Sequence, residues 1–170
     1  MKSKLRGNIK VNVKRTRRGN RKRTMNKNIS KSLRLVGINA AGLKNKILTF
    51  KKLVKDLQPS VFFIEETKFK EEGKFKIDNF VIFELVRDSK EGGGLALGCA
   101  KELNPVLVRK GDEEVEAMSV DISVKSMRIR CVVAYGCQEN SLVEKKHKFW
   151  SFIEEEEYLP GILIWFHPPV

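Results

Sequence analysis

The sequence predicts a mixed α/β fold, a sandwich rather than a doubly wound sheet, and three observations lead there. A strand-like segment, a helical stripe and a second apolar run follow one another early in the chain, the pattern of a βαβ opening. Five more strand-like segments come next with no helix between them, whereas a doubly wound sheet alternates strands with helices. The chain is 41% apolar and 32% charged, enough for a core under a well-solvated surface.

Each element has its own signal. Residues 33–38 (Leu33-Arg34-Leu35-Val36-Gly37-Ile38) alternate as a strand does. Leu43, Ile47, Phe50, Val54 and Leu57 are then spaced +4, +3, +4, +3, the stripe of an amphipathic helix that Gln58-Pro59 ends. Residues 61–64 are continuously apolar, as in a strand covered on both faces. Residues 80–86, 95–99, 106–109, 115–122 and 127–135 read as further strands separated by Gly-rich or charged turns. Gly92-Gly93-Gly94 is turn material leading into a buried strand. A second helix is expected over residues 141–156, with Leu142, Phe149, Trp150 and Ile153 inward and Lys145, Lys146 and Lys148 outward. Residues 161–166 make a last buried strand. No internal repeat is present.

Charge divides the chain. Residues 1–55 hold 19 of the 34 Lys and Arg and no acid, since the first carboxylate is Asp56; all 21 Asp and Glu lie beyond it with the other 15 basic residues. Residues 1–31, with 13 basic residues and little apolar content, cannot bury enough surface to offset the entropy of ordering, and are expected to be a disordered basic arm before a domain over 32–170. Its densest part carries Arg15, Arg17, Arg18, Arg21, Lys22 and Arg23, a candidate surface for nucleic-acid phosphates or an import signal. The alternative is a solvated tail, and the run has no interleaved aromatics for base stacking.

Several classes are excluded as expectations. No apolar run approaches the roughly 18–20 residues of a bilayer span, so no membrane partner is expected. The basic N-terminus has no apolar stretch behind it, so no signal peptide is expected. Cys99, Cys131 and Cys137 are odd in number and lack a Cys-x-x-Cys spacing, which argues against a disulfide framework or a zinc site and fits an intracellular compartment. Cys99 and Cys131 read as small core residues.

Three strand exits carry polar groups: Asn39, Glu65-Glu66-Thr67-Lys68, and Tyr135-Gly136-Cys137-Gln138-Glu139-Asn140. A carboxylate held there can take Mg²⁺, which prefers oxygen ligands. An Asn amide can orient a phosphate oxygen, and a Tyr hydroxyl can donate to developing charge. Pattern alone also allows plainer readings. Paired Glu is more often a solvated loop, Asn39 a turn or cap, and Tyr135 half-buried packing. His147 and His167 stand alone, and residues 154–157 read as a helix surface.

Four motifs occur in order: Leu35-Val36-Gly37-Ile38-Asn39-Ala40-Ala41-Gly42-Leu43, Ile64-Glu65-Glu66-Thr67-Lys68, Gly92-Gly93-Gly94-Leu95-Ala96-Leu97-Gly98 and Ala134-Tyr135-Gly136-Cys137-Gln138-Glu139-Asn140. Together they resemble the endonuclease/exonuclease/phosphatase superfamily, most closely the N-terminal endonuclease domain of non-LTR (LINE-type) retrotransposons, over about Leu33 to Phe152. The resemblance implies a four-layered α/β sandwich that hydrolyses phosphodiesters with Mg²⁺ or Mn²⁺, DNA (or RNA) as partner, and a nuclear location. It matches Glu66 to the metal-binding Glu, with Glu65 where Gln is usual. Asn39 matches the first-motif Asn, Tyr135 the catalytic Tyr, and Gln138 a phosphate contact. Cys137 stands where Pro is common, and Ala41 where the repair enzymes carry Asp.

The resemblance fails at the C-terminus. Gly161-Ile162-Leu163-Ile164 looks like the family's buried strand but runs on as Trp165-Phe166-His167-Pro168-Pro169-Val170, without the family's Gly-Asp-x-Asn, and the chain has no Ser-Asp-His. Catalytic groups act as a unit, so losing several removes most of the rate. The expectation is therefore a partial sandwich, catalytically incomplete by itself. The alternatives are a non-catalytic nucleic-acid-binding remnant acting through the basic arm, and a fragment with no activity.

Overall fold

The computed structural model describes residues 33–87, 93–112, 114–136, 142–157 and 162–167, the last segment and Glu157 by backbone alone. The described residues lie in the compact unit Ser32–Val170. The expected basic arm, residues 1–31, lies outside them, as does Gln138.

The elements run β1 (Leu35–Asn39), α1 (Ile47–Leu57), β2 (Val61–Glu65), β3 (Phe80–Leu85), β4 (Leu95–Ala100), β5 (Val106–Lys110), β6 (Ala117–Val124), β7 (Met127–Tyr135), α2 (Val143–Glu157) and β8 (Ile162–His167). They form a mixed α/β fold of two four-stranded sheets and two helices. The first sheet has the order β1-β2-β4-β3 and the second β5-β6-β7-β8. In the first, β1 and β2 are parallel and β4 is antiparallel to both its neighbours. In the second, β7 and β8 are parallel and the other pairs antiparallel. Each parallel pair is joined through a helix, as parallel strands require.

Alternation along the strands builds three apolar clusters. Val61 and Phe63 of β2 and Leu95, Leu97 and Cys99 of β4 pack with Met118, Val120 and Ile122 of β6 and Cys131 and Val133 of β7. The intervening Phe62, Ile64 and Ala96 pack with Leu43, Phe50 and Val54 at α1. On the second sheet, Ala117, Val132 and Ala134 pack with Phe149, Phe152 and Ile153 of α2. Both faces of β2, and of β7 from Cys131 to Ala134, are thus buried, which is why these stretches read as continuous apolar runs. Phe62 sits edge-on to Phe50 at 5.1 Å and tilted to Phe80 at the same distance. Its ring fills the space above Gly98, where a Cβ would come within 2.1 Å of it. Burial among these residues pushes the Cys131 thiol up to about 12 and the Cys99 thiol up as well, so both are inert core groups.

The helices differ from the sequence reading at their edges. A 3₁₀ turn, Lys44–Lys46, precedes α1, because left-handed Ala41 and Gly42 set the chain's entry and no side chain caps the helix. Gln58 adopts the left-handed conformation and donates its N–H to the Val54 carbonyl, closing α1 ahead of Pro59. In α2, Leu142 and Trp150 were expected inward but are 79% and 50% exposed. The inward stripe is Phe149, Phe152, Ile153 and Glu156, spaced i, i+3, i+4, i+7. Lys145 and Lys146, expected outward, are half-buried.

Glu156 explains the rotation of that stripe. Its carboxylate accepts from Ser119 Oγ at 3.0 Å and from Arg130 Nη1 at 3.0 Å, while Arg130 also grips Asp121 through Nε (2.7 Å) and Nη2 (3.2 Å). A buried carboxylate is tolerable only when so paired, and the pairing draws this side of the helix onto the sheet. The Glu run that read as helix surface is surface at Glu154 and Glu155 but core at Glu156.

Candidate functional site

The parallel strands β1 and β2 end side by side, with Asn39 in register with Glu65. Beyond the sheet the chain continues as an irregular ladder of three segments. Ala40, Gly42 and Leu43 donate their N–H groups to the carbonyls of Glu65, Glu66 and Thr67; Thr67 and Lys68 donate theirs to Gly94 and Gly93. Such a ladder needs unusual backbone, and Ala41 (φ 45°), Glu66 (φ 53°) and Lys68 (φ 54°) are left-handed here. For a side chain like that of Glu66 this costs about 1–2 kcal/mol. Gly94 (φ 84°) also makes room: a Cβ there would meet Thr67 Oγ1 at 2.6 Å. Of the glycine run read as turn material, Gly92 lies outside the described residues and Gly94 is a packing requirement of the Glu66 loop.

Three residues singled out in the sequence meet at one atom. Asn39 Nδ2 donates to Glu66 Oε1 at 2.8 Å, and Tyr135 OH, from the end of β7 in the other sheet, donates to the same oxygen at 3.0 Å. The Asn39 amide is turned that way because its Oδ1 accepts the Ala41 N–H at 3.0 Å, an Asx turn. Glu66 is half-buried, whereas Glu65 is fully buried. Burial, then the hydrogen bond to Glu66 and the charges of Glu66, Glu116 and Glu65, push Tyr135 up to about 12. Its hydroxyl is therefore protonated at neutral pH and acts as a donor.

Glu116 is the residue that sequence reasoning missed. It is 5% exposed. Its Oε2 accepts the Gly94 N–H at 2.9 Å, its Oε1 pairs with Arg87 Nη1 at 3.0 Å, and its carbonyl accepts the Tyr135 N–H at 2.8 Å. It ties the loop of the first sheet to the Tyr135 strand of the second. The available signal was a carboxylate inside the apolar run Val115-Glu116-Ala117-Met118.

Gln138 and the arm residues Arg15, Arg17, Arg18, Arg21, Lys22 and Arg23 lie outside the described residues. His147 is exposed on α2. The backbone of His167 is in register with Tyr135.

Among the described residues, no group of three or more His, Cys, Asp or Glu is placed to hold a metal ion. Glu66 alone offers a half-buried carboxylate whose Oε1 is already fixed by two donors. One such ligand suits Mg²⁺, which keeps several waters and takes further oxygens from substrate phosphate. The described residues thus fit the ion as a partial site. Among them, no helix is long and apolar enough to cross a membrane.

No protein-family model and no curated protein matches the chain in sequence. Solved structures do match in fold. The D. rerio TDP2 complexed with single-strand DNA product aligns with 11% identity and a TM-score of 0.54, covering 80% of this chain and 59% of that one. The endonuclease domain of TRAS1, a telomere-specific non-LTR retrotransposon, aligns with 11% identity and a TM-score of 0.56 over 79% and 58%. The Bacteroides thetaiotaomicron mannosyl-6-phosphatase Bt3783 aligns with 10% identity and a TM-score of 0.60 over 81% and 64%. At 10–11% identity the likeness is one of fold alone, and it is not specific to retrotransposon endonucleases. The chain spans a little under two thirds of the length of these three structures.

Proposed function

We propose that the chain carries the N-terminal part of a metal-dependent phosphodiesterase, a DNA endonuclease of the kind found in non-LTR retrotransposons. The observation that supports this is the meeting of Asn39 and Tyr135 on one oxygen of Glu66, from three separate motifs and both sheets. The order α1, first sheet, second sheet, α2 suggested by the three apolar clusters fits the start of a four-layered sandwich.

In this reading Glu66, whose Oε1 is taken by Asn39 and Tyr135, would be the residue that holds Mg²⁺ or Mn²⁺. The ion, when bound, would neutralise charge on a phosphoryl oxygen. Asn39 keeps the carboxylate turned and presents an amide to the phosphate. Tyr135, protonated, has a single O–H, which would turn from Glu66 Oε1 to donate toward charge that develops on the phosphorane oxygens. Glu116 holds the loop and the Tyr135 strand in register while these groups act. Gln138 is proposed as a further phosphate contact. Orienting the attacking water and completing the metal and phosphate site fall to the family's Gly-Asp-x-Asn and Ser-Asp-His motifs, which the 170 residues do not carry. The basic arm, through Arg15, Arg17, Arg18, Arg21, Lys22 and Arg23, is proposed to bind DNA phosphates.

Plasmid nicking with Mg²⁺, wild type against Glu66→Ala, tests this. The 170-residue chain alone is expected to give no nicking that depends on Glu66. Clear Glu66-dependent nicking overturns the view that the set is incomplete.

A further inference from the structure

The folded unit begins with six basic residues before any acid: Arg34, Lys44, Lys46, Lys51, Lys52 and Lys55. All six are exposed. Arg34 and Lys46 donate to the main-chain carbonyls of Leu57 and Ala40. Among the described residues, no ion pair joins any of the six to a carboxylate. Elsewhere in the unit Lys74, Arg87, Arg109, Lys110, Arg130 and Lys148 each face a Glu or Asp, while unpaired cations such as Lys101, Lys125 and Arg128 are scattered singly rather than set along one helix.

The lysines are also aligned. With Leu48, which is 83% exposed, Lys44, Lys51 and Lys55 step +4, +3, +4 down one flank of α1 and the turn before it, beside the buried stripe of Phe50 and Val54. Lys52 adjoins them. At about 1.5 Å per residue the row is roughly 16 Å long.

Among the described residues no ion pair offsets this row, and only Lys55, in the last turn of α1, gains from the helix dipole. Lys51 and Lys55 repel at i, i+4, and Lys44 and Lys46 sit at the helix end where the macrodipole favours acids, with no acid in the first turn. Local rules are broken in this way chiefly at functional or strained sites. The row starts at the site, because Gly42, two residues before Lys44, donates its N–H to the Glu66 carbonyl.

We propose that this flank of α1, through Lys44, Lys51 and Lys55 with Lys52 beside them, is a track for the phosphate backbone of a nucleic acid leading away from Glu66. The proposal rests on reading the Glu66 end as a phosphodiester site, and it adds a contact on the folded unit to that of the arm. A repeating row of cations fits a repeating row of phosphates. A membrane surface is a poorer match: a helix lying on lipid needs a broad free apolar face, and the apolar face of α1 is buried on the first sheet.

The test uses the full chain and a labelled duplex oligonucleotide in EDTA, with affinity followed by fluorescence anisotropy over a range of KCl. Lys44→Gln/Lys51→Gln/Lys55→Gln is compared with Lys101→Gln/Lys125→Gln/Arg128→Gln, an equal charge change at exposed positions elsewhere. Each lost phosphate contact lowers the slope of log K against log salt by about 0.9, so the α1 variant should lose roughly 2–3 units of slope and the control far less. An unchanged slope, or equal losses in both variants, overturns the track. So does lysine-dependent binding to phosphatidylserine vesicles with the DNA slope unmoved. Circular dichroism checks that both variants fold. No metal or turnover enters this assay, so a Glu66 site that failed to bind Mg²⁺ would leave its result standing on its own.

Discussion

In the first sheet β1 and β2 run parallel around α1, flanked by the antiparallel β4 and β3; in the second β7 and β8 run parallel around α2, flanked by the antiparallel β6 and β5. The plan is shared and the fastening is not. α1 is held by aromatic packing, with Phe50 against Phe62 and Phe75. α2 adds a buried ionic network of Arg130, Asp121, Glu156 and Ser119, and its outer charges are tied down by Lys148–Glu114, Lys148–Glu144 and Arg109–Glu155. The same kind of helix thus satisfies its charges internally on one sheet and leaves them facing outward on the other. The candidate site lies where the two halves touch, at the exits of β1, β2 and β7. Carboxyl ends of parallel strands are where open α/β sheets bind ligands.

The largest effects should come from undoing each fastening. Phe62→Ala removes a ring from the α1 cluster and is expected to cost about 3–5 kcal/mol. Arg130→Ala leaves two carboxylates buried without their cation and is expected to cost a similar ~3–5 kcal/mol. Urea unfolding of both variants measures this, and a much smaller loss in Arg130→Ala would mean that the network does not hold α2.

The outer faces should give smaller effects of opposite sign. Lys44→Glu removes a cation from the positive end of α1 and breaks no ion pair, so thermal unfolding should shift upward by the equivalent of about 0.3–1 kcal/mol. Lys148→Glu breaks two exposed pairs on α2 and should lower the melting temperature slightly. Equal shifts in one direction would erase the contrast between the helices.

Much of this architecture was legible in the sequence because it is local. The run 61–64 and the stripe from Leu43 are short-range patterns, and β2 and α1 follow them within a few residues. Asn39, Glu66 and Tyr135 could be picked out because polar residues directly follow apolar strands. Their meeting at one oxygen could not, since it depends on the left-handed turn at Glu66 and on a contact spanning 69 residues. Glu116 and Glu156 were hidden for the same reason. A buried carboxylate is recognisable only with its partners, and Arg87, Arg130 and Ser119 lie far away in sequence. Trp150 misled because its size suggested burial, while the pairing of Glu156 turned α2 toward Phe152 instead.

The central claim is that Glu66, rather than its neighbour Glu65, is the metal-holding carboxylate of a phosphoryl site. Mn²⁺ titration of the full chain by electron paramagnetic resonance, in the presence of a short oligonucleotide, addresses it directly with Glu66→Gln and Glu65→Gln. The account predicts bound Mn²⁺ in the wild type and in Glu65→Gln, and its loss in Glu66→Gln. Binding unaffected by Glu66→Gln, or abolished by Glu65→Gln alone, would contradict it.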